Sequence, residues 1–304
     1  MKIFAHRGVT GHHPGNSLPA IERALDEGYS VEIDVRSTAD GTLILCHDQH
    51  VPSTDGRLID VTRTELQDLY DLAETGPYGE SAYPRLEDVL SLFSIAHTQD
   101  AELAIHVKDD KDGLEIALRD LAASVENRIE ESCLLESIFV FDVSIDSARR
   151  FAEIAPQMRV GLSVGEAEFI SEGRHPTVYS YDQVRSVQFD IVWADEWLGS
   201  LYTEGFVAQC HADDRSIMCV SPELHRDTTP MHPAASNYAS RWPRIVTIGV
   251  DGICTDHPDE FRQLYDNLYN HDFLVINLSL KSVKMVDYIS KNPLFHTYSR
   301  LACS

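Results

Sequence analysis

Residues 31–35 read Val-Glu-Ile-Asp-Val, so apolar and acidic side chains alternate. Side chains two positions apart on a β-strand share a face, so Glu32 and Asp34 point together and the three apolar residues point the other way. If the apolar residues pack beneath helices, the two carboxylates face the interior of a closed barrel. The alternative is an edge strand with solvated acids, and the apolar surroundings make that interpretation the weaker one.

Outward from this strand, short apolar runs alternate with amphipathic stretches along most of the chain. Strand–helix alternation predicts a parallel sheet, and eight such units predict closure into a (β/α)₈ barrel. An open, doubly wound sheet is the alternative. The strands are expected at or near Ile3, Val31, Glu102, Ile138, Arg159, Phe189, Ile217 and Gly249. Helices are expected at Ser17–Glu27, Thr62–Tyr70, Leu86–Phe93, Asp112–Asn127 and Pro258–Leu268.

The length of 304 residues suits one barrel, for which about 250 residues is typical. We therefore predict a single catalytic barrel over residues 1–270 and an appended segment over residues 271–304. The apolar run Phe273–Leu280 breaks the strand–helix rhythm there. We expect this segment to pack on the barrel or on a second subunit, which would make the protein a homodimer.

Charge narrows the range of partners. Acidic residues number 49 against 25 basic ones, which gives a formal net charge of −24. This excess argues against a nucleic-acid binder, which needs a basic surface, and against docking on anionic membranes. A small anionic substrate would then need a local positive site, supplied by a metal ion or by a few Arg and Lys side chains.

Two further patterns bear on the compartment. The six cysteines are scattered without a C-x-x-C pair, which favours reduced thiols. No apolar run approaches the roughly 20 residues needed to cross a bilayer. The first residues contain too short an apolar run for a signal peptide. We therefore expect a cytoplasmic protein without stable membrane insertion.

Polar side chains follow the predicted strands at the end where barrel enzymes carry their chemistry. His6 and His47 are imidazoles that can transfer protons near neutral pH, and Arg7 can bind phosphate oxygens in bidentate fashion. His106 and Lys108 share a strand face, so a metal-ligating imidazole would lie beside a phosphate-binding ammonium. Each position taken alone also fits a structural role.

Glu32 and Asp34 carry a stronger implication because they are a pair. Two buried like charges repel each other and are costly to desolvate. A divalent cation would relieve both penalties, and oxygen ligands suit Mg²⁺ or Ca²⁺.

Seven short motifs occur in order over residues 6–48, namely His6-Arg7-Gly8, Pro14, Asn16-Ser17, Glu32-Ile33-Asp34-Val35, Thr38, Asp40-Gly41 and His47-Asp48. Together they resemble the signature of the glycerophosphodiester phosphodiesterase family. Residues 84–90 resemble the opening of the family's next helix, and residues 249–258 resemble its closing strand and turn. The resemblance therefore covers most of the chain.

The resemblance implies a barrel of the PLC-like phosphodiesterase type and metal-dependent hydrolysis of a small phosphodiester. A glycerophosphodiester would yield an alcohol and glycerol 3-phosphate. The implied cation is Mg²⁺, with Mn²⁺, Ca²⁺ and Zn²⁺ as alternatives. The implied roles are general acid and base for His6 and His47, metal ligation for Glu32 and Asp34, phosphate contacts for Arg7 and Lys108, and orientation of the first loop for Asn16.

The chain departs from the family pattern at three places. His106 stands where a Glu usually serves as the third metal ligand, and this mixed ligand set tilts the preference toward Mn²⁺, Zn²⁺ or Mg²⁺ over Ca²⁺. Gly15 stands where a Glu usually precedes the loop Asn. Residues 220–225 lack the usual aromatic character, and there Glu223 or His225 is expected to line the pocket, with Trp193 and Asn16 as further pocket residues.

Three rival functions stay open. His106 motivates a barrel that binds a phosphate ligand without hydrolysing it. A phospholipase D-like or lysophospholipid phosphodiesterase on the same fold would need an apolar rim, for which Trp193, Trp197 and Phe206 are available. A metal-independent phospholipase C-like enzyme would keep its activity in the presence of a chelator.

Overall fold

Eight parallel strands close into a barrel in the computed structural model, which describes residues 1–72, 83–95, 101–109, 113–126, 134–170 and 175–268. The first strand pairs with both the second and the last, so the ring has no open edge. This confirms the predicted (β/α)₈ barrel and excludes the open sheet. In chain order, the barrel strands are Lys2–His6, Ser30–Ser37, Leu103–Val107, Ile138–Phe141, Arg159–Val164, Ile191–Ala194, Ser216–Val220 and Gly252–Thr255.

Two of these strands begin later than their apolar runs suggested. Phe189 precedes the sixth strand, and its ring packs against the guanidinium of Arg215, with 3.8 Å between Arg215 Cζ and the ring centroid. Gly249 has a φ of +83° and turns the chain before the eighth strand. Apolar residues in such turns are buried like strand residues, so the burial pattern alone does not mark the strand ends.

The barrel interior is aromatic. Phe4 and Phe139 meet edge to face with ring centroids 5.8 Å apart, and Phe141 stacks on Trp193 at 4.0 Å. Such side chains fill the space between the strands, so the barrel is a packed core and not a channel. The buried interior cluster consists of Phe4, Ala104, Phe139, Phe141, Ile191, Trp193, Met218, Val220 and Cys254.

The helices follow from capping residues and apolar periodicity. Ser17 accepts a hydrogen bond from the backbone N–H of Ala20 and begins the first helix, and Thr203 caps a later helix in the same way through Phe206. The described helices are Leu18–Asp26, Leu66–Leu72, Leu86–Ile95, Leu114–Glu126, Leu134–Ser137, Ile145–Ile154, Ala167–Ile170, Tyr181–Val184, Glu204–Ala212 and Trp242–Thr247, and residues 258–268 are also helical. Three 3₁₀ turns lie at Val61–Arg63, Pro222–His225 and Ala235–Ser240.

The predicted helix Thr62–Tyr70 is interrupted. Thr64 is extended, with φ −115° and ψ 132°, so a 3₁₀ turn ends there before the helix Leu66–Leu72 begins. The stretch before it contains an unpredicted hairpin of His50–Pro52 with Leu58–Asp60. Two other short strands join the barrel sheet: Leu43–Leu45, antiparallel to the second barrel strand, and Val178–Tyr179, parallel to the fifth.

Residues 1–258 form one compact unit that contains the whole barrel, and residues 259–304 group separately. Residues 259–268 of that second group are helical. The predicted appended segment 271–304, with its run Phe273–Leu280, lies outside the described residues, and the predicted domain boundary stays a prediction. No helix in the described part of the chain is both long enough and apolar enough to cross a membrane.

Candidate active site

The carboxyl ends of the barrel strands surround one cavity of about 260 Å³. One half of its wall is charged and contains the residues for which the sequence predicted chemistry, namely His6, Arg7, Glu32, His47, His106 and Lys108. Glu32, one of the two acids for which strand periodicity predicted a shared face, thus lies in the wall of a concave site.

A tight turn presents His6 and Arg7 at the end of the first strand. Arg7 and Gly8 have φ values of +59° and +87°, a region that glycine enters without steric cost. A Cβ atom on Gly8 would lie 2.6 Å from the backbone carbonyl of Ala20 on the first helix. Only glycine therefore lets this turn pack so closely against the helix.

Glu32, Asp34 and His106 converge on one point. Asp34 and His106 are register partners on neighbouring parallel strands. His106 Nδ1 lies 3.2 Å from Asp34 Oδ1 and 3.6 Å from Glu32 Oε1. The three residues can each offer one ligand atom, and these atoms lie within 4.8 Å of one another.

The donors of this trio fit a divalent cation. Glu32 and Asp34 are 2 % and 1 % exposed. Among the described residues, Glu32 Oε2 and Asp34 Oδ1 are buried oxygens that accept no hydrogen bond. Buried carboxylate oxygens that accept no hydrogen bond are costly, and these two carboxylates beside an imidazole nitrogen make a ligand set that a hard or borderline cation would satisfy. The trio is therefore a candidate metal site.

Asn16 fixes the orientation of Asp34. The Asn16 side-chain amide donates to Asp34 Oδ2 at 2.9 Å, and its carbonyl oxygen accepts from the Asp34 backbone N–H at 3.1 Å. Arg7 Nε lies 2.8 Å from Asp34 Oδ2 and Lys108 Nζ lies 3.6 Å from Asp34 Oδ1. Burial raises the pKa of Asp34, but His106, Lys108 and Arg7 outweigh it and hold that pKa well below its usual value.

His6 is paired with a carboxylate from the closing turn of the barrel. His6 Nδ1 lies 2.7 Å from Asp256 Oδ1, and His6 Nε2 lies 3.9 Å from Glu32 Oε2. Burial lowers the pKa of His6, but the hydrogen bond to Asp256 and the charge of Glu32 outweigh it, so the pKa is raised. Sequence reasoning gave Asp256 no role; its place directly after the last strand is the signal that was available.

His47 is the more exposed of the two histidines, and its pKa moves the other way. Burial lowers the pKa of His47, and the nearby charges of Lys108 and Arg7 add to this, against an opposing effect of Asp34. Its backbone carbonyl accepts two hydrogen bonds from the Arg36 guanidinium, at 2.9 and 3.1 Å. The cavity thus holds two histidines whose environments shift their pKa values in opposite directions.

The other half of the cavity wall combines aromatic and apolar side chains with several polar ones, among them the pair of His225 and Asp195. Trp193 and His225 lie in it, where the sequence predicted pocket residues, and Trp197 joins them. His225 Nε2 lies 2.7 Å from Asp195 Oδ1, and the His225 ring lies against Trp197 at 4.7 Å. This side of the cavity offers a broad surface for a group attached to a bound phosphate.

Asn16 and Glu223, which were expected pocket residues, and Phe206, which was a candidate rim residue for the rival function, are not part of the cavity wall. Glu223 is buried away from the cavity wall, where its carboxylate accepts from the hydroxyls of Ser221 and Thr255 and from the backbone N–H of Asp256. It therefore holds the closing turn. Phe206 packs edge-on against Tyr181, with centroids 5.6 Å apart, on an outer helix. An apolar residue on such a helix covers the barrel and does not reach the rim.

The sequence and fold were also compared with those of known proteins. Residues 6–260 match the sequence model of the Glycerophosphoryl diester phosphodiesterase family. The chain belongs to that family. It is thus a phosphoric diester hydrolase, and the predicted family and enzyme class are confirmed.

Relatives and solved structures place this family member among barrel enzymes. A glycerophosphodiester phosphodiesterase of Bacillus altitudinis is 27 % identical over 85 % of this chain and 95 % of its own length. One from Caldanaerobacter subterraneus is 29 % identical over 84 % and 94 %. A Parabacteroides distasonis enzyme of the same name has a TM-score of 0.63 at 20 % identity, covering 88 % of this chain and 98 % of its own. An Oleispira antarctica phosphodiesterase, in complex with the product sn-glycerol-3-phosphate, has the same TM-score at 18 % identity, covering 88 % and 97 %.

Proposed function

We propose that this chain is a metal-dependent glycerophosphodiester phosphodiesterase that hydrolyses its substrate to an alcohol and glycerol 3-phosphate. The observation that carries the proposal is the convergence of Glu32, Asp34 and His106 at the wall of a cavity that His6 and His47 also line. Family membership supports the reaction class, and the named product of the Oleispira antarctica relative supports glycerol 3-phosphate.

Charge balance assigns the first set of roles. Glu32, Asp34 and His106 would hold the cation, which when bound supplies Lewis-acid polarisation of a phosphate oxygen. Arg7 and Lys108 flank the trio and line the cavity. Their positive charges would contact the remaining phosphate oxygens and stabilise the charge that builds up in the transition state.

The two histidines divide the proton transfers. The raised pKa of His6 suits a protonated imidazole that donates to the leaving alkoxide, and the lowered pKa of His47 suits a neutral imidazole that accepts a proton from water. The water oxygen forms the new bond to phosphorus as the bond to the alcohol oxygen breaks. The proton lost by water ends on His47, and the proton on the alcohol comes from His6.

Alanine variants of the two histidines test this assignment. His6→Ala and His47→Ala should each lower turnover by about 10²–10⁴-fold against bis(p-nitrophenyl) phosphate and a panel of glycerophosphodiesters, while circular dichroism shows the fold unchanged. His50→Ala is the matched control, because His50 is about half exposed on the outer hairpin and lies outside the cavity wall. Near-normal turnover in both cavity variants would reject the mechanism.

The cation can be tested independently of the histidines. Treatment with a chelator should abolish turnover, and adding a divalent cation back should restore it. Mg²⁺ is the proposed ion, with Mn²⁺, Zn²⁺ and Ca²⁺ as alternatives. Full activity after chelation would instead support the metal-independent phospholipase C-like reaction. Phosphate-ligand binding with no turnover under any metal would support a non-hydrolytic barrel.

The aromatic half of the cavity favours one second candidate function. Trp193 and Trp197 both line the cavity, as an enzyme acting on lysophospholipid head groups would require. Comparing kcat/KM for a deacylated glycerophosphodiester and its mono-acyl counterpart separates the two functions. A preference for the acylated substrate would replace the proposed one.

The cellular location and the oligomeric state of the protein remain proposals. Cys46, Cys210, Cys219 and Cys254 are free and buried, which supports the reducing environment of the cytoplasm. Cell fractionation tests this location, and light scattering tests the proposed homodimer.

A further inference from the structure

Asp142 lies directly after the fourth barrel strand, on the side of the His106 ring that faces away from the two acids. Its Oδ2 atom lies 3.0 Å from His106 Nε2, while His106 Nδ1 faces Asp34 and Glu32 at 3.2 and 3.6 Å. The imidazole is therefore held between carboxylates at both of its nitrogens.

Hydrogen-bond chemistry decides which nitrogen carries the proton of the neutral ring. The other oxygen of Asp142 accepts from the Thr177 hydroxyl at 2.7 Å. An ionised carboxylate has acceptors only, so the hydrogen bond between Asp142 and His106 needs the proton on Nε2. Nδ1 is then left with its lone pair, and that lone pair points at the candidate metal site.

The local structure holds this arrangement firmly. The His106 ring stacks on Phe141 with centroids 4.7 Å apart and an angle of 27° between the planes. Asp142 itself has a φ of +60°, a conformation that costs a residue with a side chain some backbone strain. This strained residue is the one that brings a carboxylate to the Nε2 edge of the imidazole.

We propose that Asp142, anchored by Thr177, is a positioning residue that fixes His106 in the tautomer presenting Nδ1 as a metal ligand. The inference rests on the proposed metal-dependent function and extends it. A carboxylate on the remote nitrogen orients a ligating imidazole and increases its basicity. The site would thus contain a nitrogen ligand that is already oriented toward the cation, which favours Mn²⁺ or Zn²⁺ over Ca²⁺.

Mn²⁺ titration of the purified full-length chain by calorimetry tests the proposal without any substrate. Asp142→Gly removes the carboxylate, and glycine adopts the positive φ without strain. The variant should bind Mn²⁺ about 10- to 100-fold more weakly than the wild type. Asp146→Ala is the matched control, because it removes an acid that is 79 % exposed, four positions further on, and should leave the affinity unchanged.

A double-mutant cycle separates positioning from a general structural role. In the His106→Glu background the ring is gone, so Asp142 has nothing to orient. Adding Asp142→Gly there should leave Mn²⁺ affinity unchanged or raise it. An equal loss of affinity in both backgrounds would mean that Asp142 only supports the fold, and would overturn the proposal.

Pulsed EPR of bound Mn²⁺ supplies a spectroscopic readout. The ¹⁴N coupling of a coordinated imidazole should appear in the wild type, disappear in His106→Glu and weaken in Asp142→Gly. If Asp142→Gly does not fold, Thr177→Val keeps the carboxylate but removes its anchor, and it should weaken Mn²⁺ binding to a smaller extent.

The outcomes distinguish this inference from the proposed function. A wild-type chain that binds neither Mn²⁺ nor another divalent cation would overturn both. A wild type that binds Mn²⁺ and loses affinity in His106→Ala, but not in folded Asp142→Gly or Thr177→Val, would overturn the positioning role alone.

Discussion

Single carboxylates decide what the histidines of this cavity can do. Asp256 accepts a hydrogen bond from His6, and Asp48 lies 2.7 Å from His47 Nδ1. An acceptor beside an imidazole favours its protonated form. The two histidines nevertheless differ, because Asp256 and Glu32 overcome the burial of His6, whereas burial prevails at His47.

Asp256→Asn should therefore change the pH profile of kcat/KM on one side only. The Asp256 charge raises the pKa of His6, so its loss lowers that pKa and deprotonates the proposed acid at a lower pH. The descending arm should move to lower pH, and activity should fall more at pH 8 than at pH 6. Steady-state kinetics across this range check the shift.

Asp48→Asn is the matched control for that experiment. The hydrogen bond that His47 donates to Asp48 raises the pKa of His47, so its loss should move the ascending arm to lower pH and leave the descending arm in place. Movement of the same arm in both variants would contradict the division of roles.

Some of these residues were predictable and others were not. His6, His106 and Lys108 lie at or just after the ends of barrel strands, which meet at one rim, so their positions along the chain indicated a shared cavity. His47 lines the same cavity but follows Leu43–Leu45, which is antiparallel to the second barrel strand, so the argument from barrel-strand ends does not place it there. Asp142 and Asp256 act through partners 36 and 250 residues away. Such contacts depend on loop conformations that apolar periodicity does not encode.

At the scale of elements, the loop after the sixth barrel strand is held by one buried carboxylate. Glu166 accepts hydrogen bonds from four successive backbone N–H groups, those of residues 197–200, at 2.9–3.3 Å. Trp197, on the aromatic side of the cavity, belongs to this loop. The Glu166 carboxylate thus stabilises the loop and, through it, fixes the position of Trp197 in the wall of the proposed substrate site.

Glu166→Ala should destabilise the protein by about 2–4 kcal/mol, because it leaves backbone donors unpaired in a buried place. Release of Trp197 should raise KM more than it lowers kcat. Urea unfolding and steady-state kinetics measure the two effects. Glu153→Ala, at an exposed position on the helix Ile145–Ile154, is the control and should change neither. A loss of less than about 0.5 kcal/mol in Glu166→Ala would show that the loop is held by other contacts.

Element prediction was most accurate for strands that lie inside the barrel sheet. The fourth and fifth barrel strands begin and end where the apolar runs do, at Ile138–Phe141 and Arg159–Val164. The hairpin of His50–Pro52 and Leu58–Asp60 was missed, because three residues are too few to show an alternation. It is stabilised by tertiary packing of Val51 and Ile59 in a small separate cluster.

Across the whole chain, counting strands predicted the barrel but left an open sheet as the alternative, which only the pairing of the first and last strands excludes. Eight strand–helix units leave a parallel sheet with two edges unless the first and last strands pair, and here Lys2–His6 pairs with Gly252–Thr255. The register of that closure could not be deduced, since it is set by the aromatic packing inside. The family signature supplied what periodicity alone could not, namely which rim residues to expect.

The net charge of −24 also acts on the molecule as a whole. An anionic phosphodiester would approach a protein of the same sign of charge, and in the described cavity wall it would meet the positive charges of Arg7, Lys108 and the proposed cation. Salt shortens the range of that repulsion, from about 30 Å at 10 mM to less than 10 Å at 200 mM ionic strength. Screening should therefore help the substrate to reach the cavity more than it weakens the short contacts inside.

We accordingly expect kcat/KM for an anionic substrate such as bis(p-nitrophenyl) phosphate to rise about two- to fivefold between 10 and 200 mM salt. Saturating metal must be present throughout, since salt also weakens cation binding. A glycerophosphodiester of choline, whose ammonium cancels the phosphate charge, serves as the control and should change little. A fall in kcat/KM for the anionic substrate alone would mean that the field at the cavity mouth is attractive, and that Arg7, Lys108 and the cation outweigh the acidic surface at long range.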